Sequence, residues 1–160
     1  MAINGFVNFG DIKGESTDKD HKDWVSIMGY HESVTHPFVA PKTGAASTAP
    51  VHSEFSIMKL LDAATPKLYE ACATGKHIKE VTIELASAKG GSPYLHIKLE
   101  DVVVSSVADN SDPAGPVQFP LETVSLAYGA IEVTYTKYKP DGAAAGNVAA
   151  KWNVPQGASA

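Results

Sequence analysis

Six histidines stand in this chain, at His21, His31, His36, His52, His77 and His96. Imidazole is the commonest metal ligand and the side chain best poised for proton transfer near neutral pH. The spacing suits neither task. Zinc sites draw ligands from tight pairs joined by a second pair or a carboxylate, and no HxxxH or HExxH pattern occurs. His31 and His36 are five apart, which puts them on opposite faces of an extended strand. Cys72 is the one cysteine, so neither a CxxC pair nor an internal disulfide is available. Thr74-Gly75-Lys76 matches the end of a phosphate-binding loop, but Glu70 stands where that motif needs its first glycine. The segment also closes a helical pattern, and the dipole at a helix C-terminus repels anions. A serine nucleophile needs a strained elbow such as GxSxG; none occurs, and Ser105-Ser106 is followed by no convincing base. Glu100 with Asp101, and Asp18 with Asp20 and Asp23, read as solvated strand ends and loops. The residue types therefore predict no catalytic, cofactor-binding or metal residue, and a protein that is not an enzyme.

The elements that would have to position such groups are mostly strands. Around one helical segment, Thr65 can cap with its hydroxyl and Pro66 suits the first turn, where a missing N–H costs nothing. Leu68, Ala71 and Cys72 share one side, Gly75 sits where a left-handed cap is needed, and Lys76 and His77 follow at the negative end. The spacing predicts a helix over residues 66–74. Apolar alternation predicts strands over 3–12, 24–35, 51–60, 78–87, 93–107 and 121–138, with a hairpin turn at 89–92 and a bend at Gly129. Neither face of 24–35 is cleanly apolar. Residues 13–23, 37–50 and 109–116 read as loops, and 37–50, with three prolines and few charges, is the longest. From residue 140 to 160 the chain is rich in Ala and Gly, and Trp152-Asn153-Val154 is the segment able to anchor it. The fold expected is a single domain over residues 1–160, mainly β, an antiparallel β-barrel with one short helix at an end.

Bulk properties exclude several partners. The net charge is −5, and all thirteen basic residues are lysines. Without arginine the planar forks that grip phosphates and bases are missing, and the acidity disfavours nucleic acid and anionic membranes alike. No basic region followed by an apolar core marks a signal peptide, and no apolar run is long enough for membrane insertion. Cys72 is expected in the core, which fits folding in a reducing cytoplasm.

Beyond these physical readings, Gly10-Asp11-Ile12-Lys13-Gly14-Glu15-Ser16 followed by His21 resembles the opening of the Hcp family (haemolysin-coregulated protein), tube subunits of the bacterial type VI secretion system. The helix block with Thr65-Pro66, Leu68, Ala71-Cys72 and Gly75-Lys76-His77 resembles that family's most recognisable segment. Val102-Val103-Val104-Ser105-Ser106-Val107, Glu122-Thr123-Val124-Ser125-Leu126, Tyr128-Gly129 with Ile131, and Trp152-Asn153 follow in the family's order, so the resemblance covers nearly the whole chain. Prolines at 109–116 depart from the usual glycine-rich loop, and 37–50 is the family's variable region.

The resemblance implies a barrel closed into a homohexameric ring, with rings stacked into a tube that a contractile sheath expels behind a spike of the VgrG type. It implies effector proteins carried in the lumen, no cofactor, and a protein that is cytoplasmic before firing and then secreted. His31 and Ser33 are the candidates for facing lumen and cargo. Thr43, Gly44, Ala45, Ala46, Ser47 and Thr48 are the candidate ring-contact loop. Two other readings stand beside a structural subunit: primarily an effector-binding carrier ring, or a monomeric ligand-binding β-barrel.

Overall fold

The computed structural model describes residues 3–37, 49–87, 91–111, 119–154 and 158–159. Among them the elements are β1 (Asn4–Asn8), β2 (Val25–Ile27), β3 (Gly29–His31), β4 (Val34–Thr35), β5 (Val51–His52), β6 (Phe55–Leu60), α1 (Thr65–Thr74), β7 (His77–Ala86), β8 (Pro93–Asn110), β9 (Leu121–Ala127), β10 (Ala130–Tyr138), β11 (Ala144–Asn153) and β12 (Ala158–Ser159). All strand pairings among them are antiparallel.

Alternation decides which side of each strand faces inward. In β6, Phe55, Ile57 and Lys59 are buried while the residues between them are not. The pairings close on themselves. β1 lies between β2 and β7, β7 pairs β8, β8 pairs β9, β9 pairs β6, and β6 pairs β3, which continues from β2 past Met28. That circuit is the barrel. Its interior holds Val7, Phe9, Val25, Phe55, Ile57, Val81, Ile83, Leu99, Val102, Val124 and Leu126. Closure removes the exposed edges that an open sheet of this length would carry.

Length lets β8 serve two walls. Its first part pairs β7 on one side and β10 on the other, and its last part pairs β9. The expected single strand over 121–138 therefore splits at Tyr128-Gly129. Gly129 N–H donates to Glu100 O (2.9 Å) and its own carbonyl accepts Val154 N–H (2.8 Å), so the chain steps from β9 into β10. The expected strand over 24–35 is also interrupted. Val25 and Ile27 point inward, and beyond Met28 the inward residue is Tyr30, stacked on Phe55 (5.3 Å). This change of parity is why neither face of that segment reads as cleanly apolar.

The helix forms as expected, with two differences at its start. It begins at Thr65, and Ala64 occupies the N-cap position without a side-chain cap. Asp62 Oδ1 accepts the Ala64 N–H (3.0 Å), while Thr65 Oγ1 accepts from Asp62 N–H (3.1 Å) and Lys59 Nζ (3.2 Å). Thr65 is thus committed to a buried lysine. At the other end Gly75, at φ 65°, gives the left-handed cap, and Lys76 N–H returns to Ala71 O (3.0 Å). Leu68 and Ala71 are buried, and Cys72 is partly buried against the same core.

Most of the described part of the Ala/Gly-rich tail is strand. Residues 144–153 form β11, paired to β10 along its length, and Trp152 packs against the core with its ring offset-stacked 6.3 Å from His52. Candidate residues Thr43 to Thr48 lie outside the described residues, as do 112–116 of the second expected loop and 89–90 of the hairpin turn.

Candidate functional site

The outward side of the β3–β6–β9–β8 wall is made mostly of small and hydroxyl side chains. Cross-strand register aligns His31, Ser56, Ser125 and Ser106 in one row, and Gly29, Met58, Thr123 and Ala108 in the next. Ser56 and Ser125 hydroxyls hydrogen-bond across the strands (3.2 Å), and Ser105 Oγ donates to Ser125 O (3.1 Å). Uncharged hydroxyls bonded to one another present a smooth, wetted face with little side-chain entropy to lose.

Of the two residues named for this role from the sequence, His31 ends the first row and is exposed. Ser33 lies past the end of β3. Its N–H donates to Ser53 Oγ (2.8 Å) and its carbonyl accepts Ser53 N–H (2.9 Å), so it extends the β4–β5 pairing by one step. Ser56, Ser106, Thr123 and Ser125 complete the surface. Alternation with buried Ile57, Val124 and Leu126 marks Ser56, Thr123 and Ser125 as outward, and only the cross-strand register joins them and Ser106 into one surface.

Directly behind this face lies a buried charge cluster. Lys59 and Glu122 are opposite each other on β6 and β9 and both are fully buried. Lys59 Nζ donates to Asp62 Oδ1 (2.8 Å), Leu60 O (2.9 Å) and Thr65 Oγ1 (3.2 Å), and lies 2.7 Å from Glu122 Oε1. Burial pushes the Glu122 carboxyl up from its ordinary value, against the pull of Lys59. One ammonium thus ties the wall to the helix start.

A buried histidine fastens the loop after β1. His21 sits between Asp18 Oδ1 and Glu84 Oε2, each 2.7 Å away, stacked on Phe6 (4.2 Å) with Trp24 edge-on (5.0 Å). His96 also approaches Glu84, at 3.7 Å. Gly14 holds the same loop close: a Cβ there would fall 2.4 Å from Trp24 O. Burial draws the His21 imidazole down, but hydrogen bonds and charge from Asp18 and Glu84 outweigh it, and its pKa lies above the ordinary 6.5. A raised folded pKa contributes stability that is complete below 6.5 and disappears as pH rises through the folded value. The denaturation midpoint is therefore expected to fall across that window, and His21→Gln is expected to flatten the fall. Parallel slopes for the two proteins would show that the loop is held without the charged imidazole.

Among the described residues no three His, Cys, Asp or Glu side chains gather where a metal ion could sit. His77 stands beside Asp101 (3.4 Å) at the surface, and Asp18 accepts the backbone N–H of Asp20 (3.0 Å) as a turn residue does.

Comparison with known proteins agrees with this architecture. Residues 6–135 match the family model described as "Type VI secretion system effector, Hcp". Protein hcp1 of Pseudomonas aeruginosa is 32% identical over 164 aligned residues, covering 100% of both chains. The Major exported protein of the same species is 29% identical, covering 78% of this chain and 76% of that one. The crystal structure of Hcp1 from Salmonella typhimurium superposes with a TM-score of 0.82 at 23% identity, covering 100% of both chains, which speaks for the fold alone.

Proposed function

The chain belongs to the Hcp family of the type VI secretion system, and from that premise we propose that it works by assembly, as a subunit of a homohexameric ring that stacks into the secretion tube. The small-residue face of β3, β6, β9 and β8 carries the reading. A tube wall through which polypeptides pass needs an inner surface that is polar enough to stay wet and too smooth to hold a passenger tightly. Rows made mostly of serine, threonine, alanine and glycine, with His31 and Met58 as the larger members, meet that need. In this reading His31, Ser56 and Ser125 line the lumen, effector proteins travel inside, and the spike and contractile sheath are met at the end and outside of the tube. The similarity to a protein called Major exported protein supports release from the cell.

A ring of identical subunits joins two different surfaces of each copy, and it closes only at the correct rotation. Negative-stain electron microscopy of the purified protein, with its mass in solution, tests this directly. Six-fold rings with an open centre are the expected result. A monomer at high concentration would overturn the proposal and return the search to a ligand-binding barrel.

A further inference from the structure

The ribbon formed by β10 and β11 leaves the barrel and ends in an unfinished edge. β8 pairs β10 only from Ala130 to Tyr135, so the rest of the ribbon has two strands and no more. On the other side of β11, only Trp152 and Asn153 meet β12. Residues 144–151 therefore have no strand partner on that edge among the described residues. Natural proteins blunt such edges with lysine, proline, bulges or brevity, and this edge is irregular only at its tip, across from Lys137 and Tyr138. This one runs Ala144-Ala145-Gly146-Asn147-Val148-Ala149-Ala150 before its first charge at Lys151, and all seven of those residues are exposed.

One face of the ribbon is apolar as well. Tyr135 and Val148 are directly opposite each other and are 51% and 75% exposed, and Val133 and Ala150 form the next pair inward. Thr134 with Ala149 and Thr136 with Asn147 make the other face polar. The edge asks for an extended backbone, and the face beside it asks for apolar side chains.

We infer that the free edge of β11 pairs with a strand of a second copy of this chain, making the β10–β11 ribbon the arm by which one subunit grips the next. This rests on the ring reading above. An unblunted edge pairs with whatever strand is always at hand, and in a ring the neighbouring copy supplies one per subunit. Each copy carries a net charge of −5, so copies repel, and the uncharged strip at 144–150 is where they can approach at least cost. Pairing of β11 with another β11 would close a two-fold pair, so within a six-membered ring the partner is a different strand of the next copy.

Residue-resolved hydrogen exchange on assembled rings tests the inference, with Val148→Glu as the monomeric reference. Every second amide of 144–151, those facing away from β10, is expected to slow by about tenfold or more in rings, as a made hydrogen bond requires. Val148→Glu is expected to keep its far-UV spectrum and lose the ring at concentrations where the parent is assembled. Rings whose outward β11 amides exchange as fast as in the reference would overturn the edge pairing and leave the ring reading standing. Intact rings of Val148→Glu would overturn the apolar seat, and a parent protein that never assembles would overturn both readings.

Discussion

Replacing Lys59 with methionine is expected to cost about 3–5 kcal/mol of folding stability, the penalty for stranding a buried charge. Methionine fills much the same volume, so the loss is electrostatic. Glu122 is fully buried opposite Lys59, and its closest cationic group is the ammonium at 2.7 Å. Removing that group also takes one of the two donors from Asp62 Oδ1 and from Thr65 Oγ1 at the start of α1, which loosens the helix where no N-cap side chain holds it. The double variant Lys59→Met with Glu122→Leu is expected to recover most of the loss, because an apolar pair of similar volume carries no desolvation penalty. With Lys59 gone, its downward pull is lost and burial, joined by Asp109, keeps Glu122 protonated to higher pH, so the deficit of the single variant should shrink as pH falls. Urea midpoints at neutral and acid pH measure all of this. A single variant within about 1 kcal/mol of the parent at neutral pH would show that water reaches Glu122, at odds with a dry cluster.

Placing tryptophan at His31 is expected to remove retained cargo while leaving rings intact. The side chain is exposed at the end of the Ser56, Ser125, Ser106 row and makes no packing contact with the core. Stability should therefore change by no more than about 0.5 kcal/mol, as for ordinary surface positions. In the proposed ring, six copies would each add an indole to a surface made mostly of small and hydroxyl side chains. Volume is lost from the lumen, and the smooth wall acquires a ring of hydrophobic projections. Co-purification of an effector with rings, measured against the parent, is expected to fall by about tenfold, which needs only ~1.4 kcal/mol of lost affinity. Unchanged retention with intact rings would place His31 away from the passage.

Local rules made much of the fold legible. Pro66, Leu68, Ala71 and Gly75 specify α1 by themselves, because capping and periodicity act within a few residues. Alternation in Val81, Ile83 and Leu85, and again in Leu95, Ile97 and Leu99, gave the β7–β8 hairpin. Where the reading faltered, the deciding contact was remote in sequence. Met28 marks a switch of partner from β1 to β6, and nothing in Ile27-Met28-Gly29 announces it. Strand β11 is mostly alanine, glycine and asparagine, poor strand formers broken only by Val148 and Trp152, and it is held by the ladder that β10 supplies from Ala130 to Tyr138. Lys59 reads as one more surface lysine until Glu122, sixty-three positions away, is seen beside it. On the candidate surface, His31 was visible as a polar residue in a strand, whereas Ser56, Ser106 and Ser125 gain meaning only from the register that lines them up.

Closure of the strand circuit has a consequence in time. Gly5 pairs with Leu85 and Phe55 pairs with Leu126, so two of the seams join segments made far apart during synthesis. The hairpin of β7 and β8 and the helix before it can form as they emerge, since their contacts are local. The first strand must then wait for the seventh, and the sixth for the ninth. Until about residue 127 has left the ribosome, several apolar strands have unsatisfied neighbours, and a nascent chain in that condition is open to pairing with another nascent chain. Folding is expected to be slow for a protein of this size, with its final step the meeting of the ninth strand with the sixth. A cell that makes this subunit in quantity therefore has most to gain from holding the first half of the chain apart until the second half arrives.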